Sequence, residues 1–288
     1  MVIERAVVAG AGLMGHGIAQ VIATTGRTVV LYEPDLARAE TGLERIAGNL
    51  RRSVDKGRLA SGERDAVVAR ITPSSDLEAA AAGADLVVEA VFEDVAVKTG
   101  LWSELDRSAP ATAIFASNTS SISIDTLAAA LVEARRPRFV GMHFFSPVPV
   151  MPLVELIRGS VTSDATEAAV RSIAAEMGKQ VIVSADRPGF IVNRILMPLL
   201  IEAMRALEQG VGTAEDIDAG ARVGLNHPMG PLELADFIGL DVCLGIMHVL
   251  HEGLGEGQFV PPRVLVEKVA AGQLGQKTNQ GFYRYPRD

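Results

Sequence analysis

"VIERAVVAGAGLMGHGIAQVIATTG", residues 2–26, sets the course of the chain. Val7, Val8 and Ala9 read as a short buried strand, and a helical pattern follows a tight turn. The turn carries Gly10, Gly12 and Gly15 in the order G-x-G-x-x-G, extended by Gly17. Gly10 permits the turn, Gly12 lets a pyrophosphate approach the backbone, and Gly15 lets helix and strand pack closely. The anion then sits on the helix N-terminus. Alone the motif is a weak signal, because a glycine turn in an α/β domain needs no dinucleotide. Its surroundings strengthen it: "RTVVLYE" (27–33) is a second apolar strand and ends in Glu33. An acidic residue at that distance can accept hydrogen bonds from adenosine ribose hydroxyls.

Outward from this unit, residues about 36–70 read as two helices with a turn near "DKGRLASGE", long for a simple crossover. Arg45, Arg51, Arg52, Lys56 and Arg58 gather there on a chain of net charge −8. They are either a solvated helical face or a clamp for a phosphorylated substrate. "ADLVVEAVFED" (84–94) and "TAIFASNTSSIS" (112–123) read as two further strands ending in polar residues, with a helical crossover containing Lys98 between them. Ligands of open α/β sheets bind beyond the carboxyl ends of the strands. Glu93 and the "SNTSS" run (117–121) belong there, and the strand "RFVGMHFF" (138–145) delivers His143 to the same rim. The run that follows, "HFFSPVPVMPLVELI" (143–157), is almost wholly apolar yet holds His143 and Glu155. A carboxylate among leucines and isoleucine is costly unless it is paired.

From "ADRPGF" onward the pattern becomes mostly helical. The expected organisation is a Rossmann-type α/β domain over 1–186, with the helical hairpin inserted at about 36–70, then an all-helical domain over 187–288. Such apolar helices bury their faces in a dimer or against the first domain. The single cysteine, Cys243, cannot form an internal disulfide and points to a reducing compartment, hence the cytoplasm. It reads as a core residue. No apolar run reaches the length of a membrane span, and no signal-peptide pattern is present. The acidic balance argues against nucleic acid as a partner. No metal is expected.

Taken in order, "GAGLMGHGIAQ", "VVEAVFED", "FASNTSSISI", "GMHFFSPVPVMPLVELI", "RPGFIVNRI", "HPMGPLELAD" and "GQKTNQGFY" resemble the 3-hydroxyacyl-CoA dehydrogenase family, which includes the bacterial 3-hydroxybutyryl-CoA dehydrogenases. The resemblance spans nearly the whole chain. It implies an NAD-dependent oxidoreductase acting on acyl-CoA thioesters, a helical domain that forms a homodimer, and a site in the cleft between domains. It also implies that His143 is the general acid/base, with Glu155 orienting its ring. Ser120 and Asn193 match the groups that contact the substrate oxygen. Gly10, Gly12, Leu13, Met14, Gly15, Glu33, Glu93, Lys98, Ser120 and Lys277 are implied contacts of the dinucleotide, and Asn49, Lys56 and Ser120 contacts of the CoA moiety. His16, His227, His248 and His251 have no comparable partner motif. The chain departs from the family pattern at Asn49, where some members carry serine, and at Ser146, where many carry asparagine before the proline. The second departure bears on substrate range. Two other readings stay open on sequence: a dehydrogenase of a non-CoA hydroxy acid such as a sugar acid, and a catalytically idle dinucleotide-binding protein.

Overall fold

The computed structural model describes residues 2–286, which divide between Arg187 and Pro188 into two compact units. The first unit runs β1 (Arg5–Ala9), α1 (Leu13–Thr24), β2 (Thr28–Tyr32), α2 (Leu36–Asp55), α3 (Ser61–Ala69), β3 (Ile71–Ser74), α4 (Leu77–Ala81), β4 (Leu86–Glu89), α5 (Val95–Ser108), β5 (Ile114–Ser117), α6 (Ile124–Ala128), β6 (Phe139–Phe144), β7 (Leu153–Arg158), α7 (Asp164–Glu176) and β8 (Gln180–Ala185). Asp35, Asp76, Asp94, Ser123 and Ser163 start five of these helices, each accepting a backbone N–H with its side chain. Such caps satisfy donors that the first helical turn leaves open.

One sheet holds all eight strands in the order β3-β2-β1-β4-β5-β6-β7-β8. Chain order reverses between β1 and β4, the switch of a doubly wound fold. Neighbours from β3 through β6 are parallel, β6 and β7 are antiparallel, and β7 and β8 are parallel again. The two outermost strands on that side therefore run against the others. β1 and β4 are buried nearly throughout, as strands covered on both faces must be. β3 carries Pro73, which is tolerated because it lies at the sheet edge.

β3 and α7 do not stand out in the sequence. β3 has only four residues, "ITPS", two of them polar and one a proline. α7 is alanine-rich, and only Thr166, Val170, Ile173 and Ala174 mark its buried face.

A compact aromatic group fixes α5 against the sheet. The Trp102 ring stacks on Phe115 at 5.0 Å and meets Phe139 edge-on at 5.0 Å. The Arg135 guanidinium lies 4.6 Å from the Phe115 ring and is paired with Asp106 at 2.7 Å. Phe115 belongs to the strand that leads into "SNTSS", so this packing also fixes the height of that loop.

The second unit contains α8 (Val192–Glu208), α9 (Ala214–Ala219), α10 (Pro231–Ile238), α11 (Leu240–Leu254) and α12 (Arg263–Ala270). Its core joins Met197, Leu200, Met204, Leu232, Met247 and Leu250 with Cys243. Burial pushes the Cys243 thiol up to about 12, so it behaves as a small apolar group. α10 and α11 meet at 98° across Gly239, whose φ of +104° is open to glycine at little cost. Among the described residues no single helix is long and apolar enough to cross a membrane.

Phe115→Ala removes one wall of the aromatic group, and the neighbouring rings cannot collapse into the gap without moving β5. The expected loss of folding stability is about 3–5 kcal/mol, read from chemical denaturation midpoints at unchanged slope.

Candidate active site

The carboxyl ends of β1, β4, β5 and β6 form one rim, and the polar residues of the first unit collect on it. At β1, Gly10 has φ +104° and would carry a Cβ 2.5 Å from the Ala90 carbonyl oxygen. A Cβ on Gly15 would stand 1.7 Å from the Gly10 carbonyl oxygen, so helix and turn can approach this closely only with glycine. Gly12 is different: a Cβ there would meet no atom within 4 Å. The space over it is open, no side chain caps α1, and no acidic residue lies in its first turn. A helix N-terminus left in this state suits an anion. Leu13 is 67 % exposed at this mouth.

Glu33 follows β2 directly. Its Oε2 accepts from the Ala11 N–H at 2.8 Å, which ties it to the glycine turn. Its Oε1 lies 3.9 Å from the Arg38 guanidinium. α2 thus aims Arg38 at this carboxylate, although Arg38 stands in a helix rather than beside Glu33 in sequence.

At the ends of β4 and β5 lies a buried ionic group. Glu89 is fully buried and accepts from Ser117 Oγ at 2.6 Å, from the Val91 N–H at 2.8 Å, and from Lys98 Nζ. Lys98 is 1 % exposed and also pairs with Glu93 at 3.2 Å. Glu93 Oε1 accepts from Thr119 Oγ1 at 2.6 Å, the Ser120 N–H at 2.8 Å, and Ser121 N–H and Oγ at 3.0 Å each. Burial pushes the Glu93 carboxyl up, but Lys98 and these hydrogen bonds outweigh it and hold it below the usual glutamate range. The Lys98 ammonium is thus enclosed and engages two carboxylates of its own chain. Glu93 likewise spends one oxygen on the loop that bears Ser120.

His143 lies in β6 and Glu155 in β7, and the antiparallel register sets the two residues directly opposite each other. His143 Nδ1 is 3.2 Å from Glu155 Oε2, with the residues 6 % and 0 % exposed. The Phe145 ring tilts against the imidazole at 4.5 Å between centroids. Asn118, buried at the end of β5, accepts from the Phe144 N–H at 2.8 Å and so links the "SNTSS" loop to the strand end beside His143. Asn118 lies within the "SNTSS" run, whereas Glu89 is not among the residues that the sequence motifs mark. The signal for Glu89 was present: a carboxylate closing the apolar strand "LVVE", as Glu155 sits in "LVELI".

The basic residues of the hairpin, Arg45, Arg51, Arg52, Lys56 and Arg58, are all exposed. Arg45, Asn49 and Arg52 line a groove with His16 of α1, and Asn49 is held by Gln20 at 3.3 Å and by Arg52. Lys56 caps the end of α2. Asn193 and Lys277 belong to the second unit. Asn193 is the second residue of α8 and 6 % exposed, and Lys277 pairs with Asp241 at 2.5 Å.

The glycine turn, the uncapped helix and the acidic residue after β2 fit a dinucleotide. The buried imidazole–carboxylate pair on the same rim fits proton transfer. Comparison with known proteins gives the same picture. Residues 5–187 match the model of the 3-hydroxyacyl-CoA dehydrogenase NAD binding domain, and residues 189–285 that of the family's C-terminal domain. A 3-hydroxybutyryl-CoA dehydrogenase of Bradyrhizobium diazoefficiens is 50 % identical over 284 residues, covering 99 % of this chain and 96 % of that protein. A probable 3-hydroxybutyryl-CoA dehydrogenase of Bacillus subtilis is 48 % identical over 285 residues, covering 99 % and 98 %. The crystal structure of (S)-3-hydroxybutyryl-CoA dehydrogenase from Ralstonia eutropha superposes with a TM-score of 0.95 at 43 % identity, covering 99 % of this chain and 100 % of that one. With both of its units matched and its relatives aligned almost end to end, this chain belongs to the 3-hydroxyacyl-CoA dehydrogenase family.

Proposed function

We propose that the chain interconverts (S)-3-hydroxyacyl-CoA and 3-oxoacyl-CoA thioesters, with 3-hydroxybutyryl-CoA as its substrate. The observation that carries this reading is the buried pair of His143 and Glu155 at 3.2 Å on the rim that also bears the glycine turn. The names of the relatives support the four-carbon acyl group. NAD, held at the glycine turn and Glu33, would supply the acceptor for the hydride from C3 of the hydroxyacyl group. His143 takes the 3-hydroxyl proton in that direction and returns a proton to the ketone oxygen in the other; an imidazole can do both near neutral pH. Glu155 engages Nδ1, which directs Nε2 to the substrate and stabilises the imidazolium when it forms. Ser120 and Asn193 are the donors to the substrate oxygen, where charge develops. Glu93 and Lys98 are further dinucleotide contacts, and their ion pair also fixes the loop that presents Ser120. Lys277 is a further dinucleotide contact.

The exposed hairpin is the CoA site, with Asn49 and Lys56 in contact and Arg52 alongside. A homodimer through the helical unit fits its surface: α8 and α10 pack together, and Ile195 and Phe237 on them are 69 % and 48 % exposed. The lone, buried Cys243 suits a reducing compartment such as the cytoplasm.

The direct test is NADH absorbance with acetoacetyl-CoA. Rapid oxidation supports the reading; oxidation only with a free oxo acid moves the substrate outside CoA thioesters, and tight NADH binding without turnover removes catalysis altogether. His143→Ala is expected to lower kcat by roughly 10²–10⁴-fold, the usual worth of a positioned acid/base, with little change in NADH affinity. Glu155→Gln should lower kcat in a folded protein, through loss of ring orientation.

Lys56→Ala, alone or with Arg52→Ala, should raise KM for the thioester at low salt and flatten its salt dependence, because attraction between exposed charges is screened. An unchanged KM at low ionic strength would return the hairpin to a solvated face.

Cofactor choice turns on Glu33. Its carboxylate would accept from the ribose hydroxyls of NAD, whereas a 2′-phosphate would meet like charge. NADH should give the higher kcat/KM in the wild type. Glu33→Ala should weaken NADH use and narrow the gap to NADPH, since Arg38 is then released to meet the phosphate. Steady-state kinetics with both cofactors decide it.

A further inference from the structure

Residues 145–152 join the strand of His143 to the strand of Glu155, leaving β6 just after Phe144 and entering β7 at Leu153. The relative height of the two strands depends on this loop. Three of its eight residues, Pro147, Pro149 and Pro152, are prolines. Proline has no N–H, so the loop has few donors for its own carbonyls. Val150 and Met151 both donate to the Pro147 carbonyl at 2.9 Å, which closes one turn. Other carbonyls need donors from elsewhere.

Lys179 supplies them. It lies immediately before β8, is 8 % exposed, and its Nζ donates to the Val148 carbonyl at 2.6 Å and the Met151 carbonyl at 2.7 Å. Its neighbour adds a third bond: the Gln180 N–H donates to the Pro152 carbonyl at 2.7 Å. Among the described residues no carboxylate lies within ion-pair distance of Lys179. Burial pulls its ammonium below the usual lysine range, and no acidic neighbour counters the shift. A buried cation without a counter-charge is costly, and an apolar side chain would fill the same space without that cost. What the ammonium adds is its grip on two carbonyls. The loop is braced from a second direction by α1. A Cβ on Gly17 would stand 2.8 Å from Val148 Cβ and 3.5 Å from Pro149 Cδ, so only a glycine admits the loop at this distance from the cofactor helix.

We propose that Lys179 is a positioning residue for the proton-transfer step, clamping the proline-rich loop and through it the alignment of His143 with Glu155. The inference rests on the reading of His143 as the general acid/base. It concerns a side chain outside the reacting groups, and it makes the loop carbonyls of Val148 and Met151 part of the support of the site.

The test is a double-mutant cycle on the full-length enzyme, with acetoacetyl-CoA and NADH as substrates and His143→Ala as control. Lys179→Met should lower kcat about ten- to hundred-fold, the scale of a small misplacement of reacting groups. KM for the thioester and the dissociation constant of NADH should stay within about two-fold, because ground-state binding is not involved. In the Glu155→Gln background the same substitution should cost less than about three-fold, since the alignment it supports is already lost. If Lys179→Met does not fold, Lys179→Gln, which keeps a donor without the charge, goes through the same cycle. A folded Lys179 variant with near wild-type kcat, or an equal loss in both backgrounds, overturns the proposal. A His143→Ala enzyme of near wild-type rate would instead overturn the functional reading beneath it, so the two failures are distinguishable.

Discussion

Glu155 is a carboxylate with no solvent exposure, in a strand whose neighbours are Val154, Leu156 and Ile157. Uncompensated, such a charge would cost several kcal/mol, and the chain meets the cost by direction rather than by sequence proximity. β7 runs opposite to β6, so the residue twelve positions after His143 comes back to lie beside it. Had the chain crossed over and returned parallel, as it does for every strand from β1 to β6, a long connection would have separated the two groups. The reversal allows a short loop to join them and brings the start of β7 to the rim where β6 ends. Sheet topology, the proline-rich loop and the Lys179 clamp all bear on this one contact.

The rim next to it is held by a second ionic group with a different logic. Glu89, Lys98 and Glu93 place two carboxylates around one ammonium, and the excess negative charge is met by Ser117, Thr119 and the N–H groups of Val91, Ser120 and Ser121. Low local dielectric strengthens each of these bonds and makes a missing one expensive, so the network has few alternative arrangements. It fixes two loops together, the one after β4 and the one after β5. Asn118 then passes that order to Phe144 and the end of β6. The parts of the site are thus braced on one another through polar side chains beneath the surface, while the surface stays open for ligands.

Much of this was legible in the sequence. The glycine turn, Glu33 and the four strands that end on the rim follow from apolar runs punctuated by glycine and polar residues. The oddity of Glu155 in an apolar run was enough to demand a partner. What the sequence could not show was direction. The residues of "PLVELI" would look the same in a parallel strand, and the antiparallel step at β7 is set by loop length and prolines rather than by strand composition. The ion pairs of Lys98 are hidden in the sequence for a related reason. A lysine on an amphipathic helix normally reaches solvent, and only the placement of Glu89 at the adjacent strand end turns it inward. Arg38 shows the converse: its reach to Glu33 depends on the rotation of α2, which the charge pattern alone does not fix.

The helical unit puts buried carboxylates to another use, and the contrast clarifies what sets Glu155 apart. Asp218 accepts from the N–H groups of Leu232 and Glu233 and from Tyr283 Oη, and Asp236 from the N–H groups of Phe282 and Tyr283 and from Tyr285 Oη. Glycine makes room for each: a Cβ on Gly230 would strike Asp218 Cγ at 2.2 Å, and one on Gly281 would strike Asp236 Oδ1 at 1.9 Å. These aspartates start α10 and fasten the "GFYRY" segment. Their N–H partners do not titrate, and burial together with the neighbouring aspartates pushes both tyrosine hydroxyls up, out of the physiological range. The donors keep their protons throughout, so the bonds remain the same at every stage of a reaction and their effect is structural. Glu155 is equally buried but faces an imidazole, the group proposed above as the acid/base of the reaction. Depth of burial and cost of the charge are common to all three carboxylates; the chemistry of the facing donor is what sets Glu155 apart.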